Sequence, residues 1–121
     1  MTRDVGAVDV SIQMLFGMMA VLLTMLLLFD TSAYWHGRNV YNEAAAEGAR
    51  VAAAFDGTCA DGIAAAEQSV RESAGAWAGD VRVSCTDGAV VKVTVAGETA
   101  GVLSGALGFR VSISESAPKE R

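Results

Sequence analysis

Val10-Ser-Ile-Gln-Met-Leu-Phe-Gly-Met-Met-Ala-Val-Leu-Leu-Thr-Met-Leu-Leu-Leu-Phe29 contains no charged residue. At about 1.5 Å of helix rise per residue, this run spans roughly 30 Å, the thickness of a bilayer's hydrocarbon core. It is apolar around its whole circumference, as a lipid-embedded helix must be. A short leader, Met1–Asp9, precedes it and contains Gly6. No proline interrupts the chain between the run and Ala54. The segment therefore reads as a membrane helix over residues 10–31 that continues outward as a helical stalk.

The flanks indicate sidedness. The leader carries Arg3 and is short, so it stays most easily in the cytoplasm, which exports the larger C-terminal part of the chain. Tyr34, Trp35 and Tyr41 come just after the run, where an aromatic belt meets the outer interface. Thr31-Ser32-Ala33 has the form of a signal-peptidase site, which would release a secreted protein starting at Tyr34. Against that stand the length of the apolar run, the single Arg3 of the leader and Asp30 before the site.

Beyond the run, Ala44, Gly48 and Ala52 fall at i, i+4 and i+8 and make one flat helix face. Such a face suits close packing, either on another copy or on the chain's own outer module. Within the run, Gly17, Ala20 and Thr24 place small residues near one stripe, where membrane helices can approach closely. Phe55-Asp-Gly-Thr-Cys59 breaks the helix, with Gly57 as its C-terminal signal. Asp61 can cap a second helix from Gly62 to about Trp77, with Ile63, Val70, Ala74 and Trp77 at helical spacing.

The period then changes to two. Val81, Val83 and Cys85 alternate with polar residues, and so do Val91, Val93 and Val95. A three-residue loop, Thr86-Asp87-Gly88, pairs Val83 with Val91 and puts Gly88 at a left-handed position. Phe109, Val111 and Ile113 form a third strand after a small-residue loop, Gly97–Gly108. Residues 116–121 read as a disordered tail. The fold class is α+β: a long N-terminal helix, a short second helix and a three-stranded antiparallel sheet in an outer module over residues 32–115.

The chemistry these residues exclude is as informative. Net charge is −5 with no basic cluster, which argues against direct nucleic-acid binding. The lone His36 sits in the stalk, and no Cys-x-x-Cys pair or glycine-rich phosphate loop is present. No catalytic residue, metal site, cofactor or small-molecule substrate is indicated. Cys59 and Cys85 form one disulfide if the module is exported, and are buried thiols otherwise. A bridge would contribute about 3 kcal/mol in the chain-entropy picture.

Asn42-Glu-Ala-Ala-Ala-Glu-Gly-Ala-Arg50, together with the apolar helix and glycine-ended leader before it, closely resembles the TadE-like family of minor pilins. In that family the helix continues as Asn-x-Ala-Ala-x-Glu-Gly-Ala-Arg, followed by a short helix and valine-rich strands. The resemblance implies a pilin-like subunit of a tight-adherence (Flp, type IV-class) pilus, with sibling subunits and an assembly platform as partners. It also implies cutting by a prepilin peptidase after Gly6, leaving Ala7 as the new terminus. One departure stands out. Pilin-like chains carry a glutamate five residues into the mature sequence, where this chain has Ser11; Asp9 is two residues short.

Overall fold

The structure, a computed structural model, describes residues 2–75, 78, 80–99, 102 and 110–120, with side chains from Val8 onward. Helix α1 runs without interruption over Thr2–Ala53, 52 residues or about 78 Å of axial rise. Helix α2 covers Cys59–Ala74. Strands β1 (Arg82–Thr86), β2 (Val90–Glu98) and β3 (Arg110–Pro118) form an antiparallel sheet in the order β1-β2-β3. The molecule is α+β, and its core lies between the upper part of α1, α2 and one face of the sheet.

The burial stripe of α1 begins at Asp30. Gly37, Tyr41, Ala44, Ala45, Gly48, Ala49 and Ala52 continue it at helical spacing, all buried. Below Asp30 nearly every described side chain is exposed. Helix α2 contributes Gly62, Ala66, Val70 and Ala74, four residues apart. The helices meet at two glycines. A Cβ on Gly48 would lie 2.8 Å from the Gly62 carbonyl oxygen, and one on Gly62 would lie 2.7 Å from that of Gly48. Neither position has room for a side chain, so the backbones themselves are in contact.

The start of α2 differs from the expected cap. Thr58 is the N-cap, and Asp61 is the third residue of a capping box. The Thr58 hydroxyl accepts from Asp61 N–H at 3.2 Å, and Thr58 N–H donates to Asp61 Oδ2 at 3.2 Å. The box shifts the helix start three residues earlier than Gly62. Cys59, the first residue of α2, is bridged to Cys85 of β1, which pins the helix to the sheet. Gly57 serves its turn through close approach. A Cβ there would lie 2.1 Å from the Val51 carbonyl oxygen.

The β1–β2 register is corrected as well. Val83 pairs with Val95, Cys85 with Val93 and Thr86 with Lys92. Val83 therefore pairs four residues further along β2 than expected, and Gly88 has no positive φ. The slip is even, so Val83, Cys85, Val91, Val93 and Val95 still share the inner face. On its other edge β2 pairs along its whole length with β3, from Val90↔Pro118 to Glu98↔Arg110. Val111 is buried as expected, while Trp77, Phe109, Arg121 and most of the Gly97–Gly108 loop lie outside the described residues.

Residues 116–120 are ordered rather than a disordered tail. Ser116, Ala117 and Pro118 complete β3. Lys119 N–H donates to Ala89 O at 2.9 Å, and Glu120 N–H to Ala53 O at 2.8 Å. The Lys119 ammonium donates to Ala52 O (2.8 Å), Ala54 O (3.1 Å) and Gly57 O (2.6 Å). A cation thus gathers carbonyls at and just beyond the C-terminus of α1, where the helix dipole also favours positive charge.

At the other end of the module, the buried Tyr41 hydroxyl donates to the Glu98 carbonyl oxygen. Gly97 makes room for that ring, since a Cβ there would lie 2.6 Å from the Tyr41 hydroxyl oxygen. Burial pushes the Tyr41 pKa up from 10.0; Arg110 pulls it down and Glu98 raises it. A raised folded-state value means stability is fully present below the unfolded pKa and is lost as pH climbs through the folded one.

Three variants check this packing, each by urea unfolding in detergent micelles. Lys119→Met is expected to destabilise the module by about 1–3 kcal/mol, through carbonyls left without their charged donor. Gly48→Val is expected to cost about 1–3 kcal/mol or more, because the opposing atom is backbone. Tyr41→Phe is expected to lose about 1 kcal/mol at neutral pH. It is also expected to flatten the fall in stability that the unmodified chain shows above pH 10.

Candidate assembly surface

The apolar half of α1 is uncovered. Val10, Met14, Leu15, Phe16, Met18, Leu22, Leu23, Leu28 and Phe29 are all exposed. Helix α1 is long and apolar enough to cross a membrane, and its apolar window is not buried inside the molecule. Two threonine hydroxyls are turned back onto the helix itself. Thr24 Oγ1 donates to Ala20 O and Thr31 Oγ1 to Leu27 O, each at 2.8 Å. This is how a threonine is accommodated where no water is available.

Of the small residues singled out in the sequence, two groups separate. Gly17 and Ala20 lie on the exposed half, and a Cβ on Gly17 would meet nothing within 4 Å. Ala44, Gly48 and Ala52 are buried in the chain's own core, against α2 and β2. Their flat face is therefore occupied, and the expected use of these three residues between copies gives way to packing within the module. Gly6 and Ala7 are helical in backbone, with side chains outside the description. Ser11 lies beside Val8, Ile12 and Leu15 along a shallow apolar groove.

The outward side of the stalk is polar. A groove of about 650 Å³ between α1 and α2 is lined by Glu43, Glu47, Arg50, Gln68, Ser69 and Glu72. Glu47 and Arg50 form an ion pair at 2.7 Å, and Gln68 Nε2 donates to Glu72 at 2.9 Å. These exposed contacts contribute little to stability. The outer face of the sheet carries Lys92, Thr94, Ser112, Ser114 and Ser116, with Thr94 and Ser114 hydroxyls 2.8 Å apart.

At the membrane-proximal end of the sheet, Asp80 draws two strands together. Arg110 Nη1 donates to its carboxylate at 2.9 Å and Nη2 to its backbone carbonyl at 3.0 Å; Arg82 approaches at 3.8 Å. Asp80 adopts φ 50°, a left-handed conformation that aspartate tolerates better than most residues. Among the described residues, no group of three or more His, Cys, Asp or Glu is placed to hold a metal.

Helix α1 thus combines a bare apolar half, long enough to cross a membrane, with a half built into a small α+β module. The family model described as TadE-like protein matches residues 9–50, from the start of the apolar run to the end of the Asn42–Arg50 segment. Searches among curated proteins and among solved structures return no match. The matched segment contains all of the exposed small-residue stripe and ends within the buried one.

The two groups of small residues make opposite predictions. A photocrosslinking amino acid at position 17 or 20 is expected to capture a second α1 when the chain is assembled in its native membrane. The same probe at position 44 is expected to give only internal products or an unfolded module. Gel mobility and mass spectrometry of the adducts distinguish these outcomes.

Proposed function

We propose that this chain is a non-enzymatic minor pilin- or pseudopilin-like subunit for assembly of a tight-adherence (Flp, type IV-class) pilus. The observation that carries the reading is the continuity of α1. The segment matching the TadE-like family runs unbroken from the exposed apolar half into the stalk. In this reading Val10–Phe29 stores the subunit in the cell membrane as a single pass. The leader stays in the cytoplasm and the disulfide-bonded module lies outside.

Mechanistically, such a subunit works by packing. The apolar half of α1 is covered by lipid before assembly and by the corresponding helices of sibling subunits afterwards. Gly17 and Ala20 permit close helix approach in that second state. Partners are thus the membrane, sibling pilin-like subunits, the assembly platform and a prepilin peptidase acting between Gly6 and Ala7. Because that bond lies near the helix N-terminus, exposing it requires only the first turns to fray.

Ser11 favours a second reading. With no carboxylate at that position to pair with a neighbour's new terminus, the chain would remain a permanently anchored binding or scaffolding module of an envelope machine. The amino-terminal sequence of the mature protein separates the two. A start at Ala7 is expected for the pilin-like subunit; a start at Met1 or Thr2 would establish the permanent anchor instead.

A further inference from the structure

Trp35 is 56% exposed although it follows the apolar run by less than two helical turns. It stands about 9 Å above Phe29 along α1, at the outer edge of the polar headgroup layer that extends about 5–7 Å beyond the hydrocarbon core. Arg38, one turn higher, has its guanidinium carbon 5.8 Å from the centre of the Trp35 ring. Helical side chains lean toward the N-terminus, so Arg38 reaches down toward the membrane and lies over the indole. Tyr34 meets Trp35 edge-on, with ring centroids 6.4 Å apart, and fixes the orientation of the indole.

The charge pattern around this pair is one-sided. From Asp30 to Asn42 the acidic, Lys and Arg residues are Asp30 and Arg38. Asp30 is only 7% exposed, so Arg38 is the one well-exposed charge that α1 itself presents in this stretch. Glu115 of β3 borders a polar groove with Arg38, though no ion pair joins the two, and at the lower end of the sheet Asp80 is held by Arg110 and Arg82. An aromatic ring at headgroup depth, a cation above it and an apolar surface directly below together complement an anionic phosphate over acyl chains.

We propose that Trp35 and Arg38 form a docking site for the phosphate of an anionic lipid in the outer leaflet. This inference rests on reading Val10–Phe29 as a membrane span. The indole lies in the interface, its stacked guanidinium binds the phosphate, and the module is held in one rotational setting about α1. The buried stripe that starts at Asp30 faces away from Trp35 around the helix, so docking leaves the module's own packing intact.

The test uses the full chain carrying Trp77→Phe, reconstituted in phosphatidylcholine vesicles with or without phosphatidylglycerol. Acyl chains are brominated either near the headgroup or near mid-bilayer, and quenching of Trp35 is read. The expected result is stronger quenching by bromine near the headgroup. Replacing part of the phosphatidylcholine with phosphatidylglycerol is expected to raise the ratio of seated to water-exposed Trp35 about fivefold, the gain one basic residue provides at an anionic surface. Arg38→Gln is expected to abolish that gain while leaving the module's circular dichroism unchanged. A parallel chain with Trp35→Phe, Trp77→Phe and Leu22→Trp reports on the span itself. Unquenched Trp35 beside a quenched L22W reporter overturns the docking site and keeps the span. An unquenched L22W reporter overturns the span and the docking site with it. A phosphatidylglycerol gain that survives Arg38→Gln overturns the phosphate assignment.

Discussion

The contact between the backbones of Gly48 and Gly62 sets the geometry of the whole module. Each glycine's missing Cβ is replaced by the other's carbonyl oxygen, at 2.8 and 2.7 Å from where that atom would be. Because α1 and α2 touch this closely, they form a thin layer, and short side chains suffice to fill the space beneath it. Among the described residues, valine is the largest buried aliphatic residue and Tyr41 the one large buried side chain. A core this shallow has little apolar area to contribute, so directional contacts close its ends. The Cys59–Cys85 bridge and the Lys119 ammonium hold the distal end, and Tyr41 and the Asp80–Arg110 pair hold the proximal one.

The same crossing decides what the rest of the chain can offer to others. With Ala44, Gly48 and Ala52 committed to α2 and the sheet, the stalk shows its neighbours a polar face of Asn39, Glu43, Glu47 and Arg50. Apolar surface is concentrated below Asp30. The buried stripe and the bare apolar half therefore meet at a single residue on an unbroken helix. Any rigid movement of the lower helix is carried directly into the module, because no proline or turn separates them.

Much of this architecture is readable from residue order. Uniform apolarity marks the lower helix, the i, i+4 spacing of small residues marks the upper stripe, and alternation marks all three strands. Alternation fixes which face a residue occupies but not its partner, because an even slip keeps every valine inside; the Val83↔Val95 pairing is hidden for that reason. The Thr58-x-x-Asp61 box stands in plain form, yet Asp61 also reads as a simple cap, and the two readings place the helix start three residues apart. Lys119 is invisible for a different reason. Its segment has the composition of a loose tail, and its order comes from carbonyls at residues 52, 54 and 57, which composition does not register. The Ala44–Ala52 face poses the hardest case. A flat helix face has the same sequence whether it packs on its own chain or on another, and only the position of Gly62 resolves it.

That resolution bears on how a chain of this design can leave a bilayer. Extraction would strip lipid from Met14, Phe16, Leu22, Phe29 and their neighbours, and transfer of so much apolar surface to water is prohibitive at about 25 cal/mol per Å². The cover must come from an equally long apolar surface. Within this chain the stalk cannot supply it, since its small-residue face is already buried and its outer face is charged. The surface that matches in length and character is the lower half of α1 in other copies or in related subunits. In the proposed reading, the intramolecular packing of the upper helix confines the driving force for assembly to the segment that also anchors the chain, so anchoring and assembly would compete for the same residues.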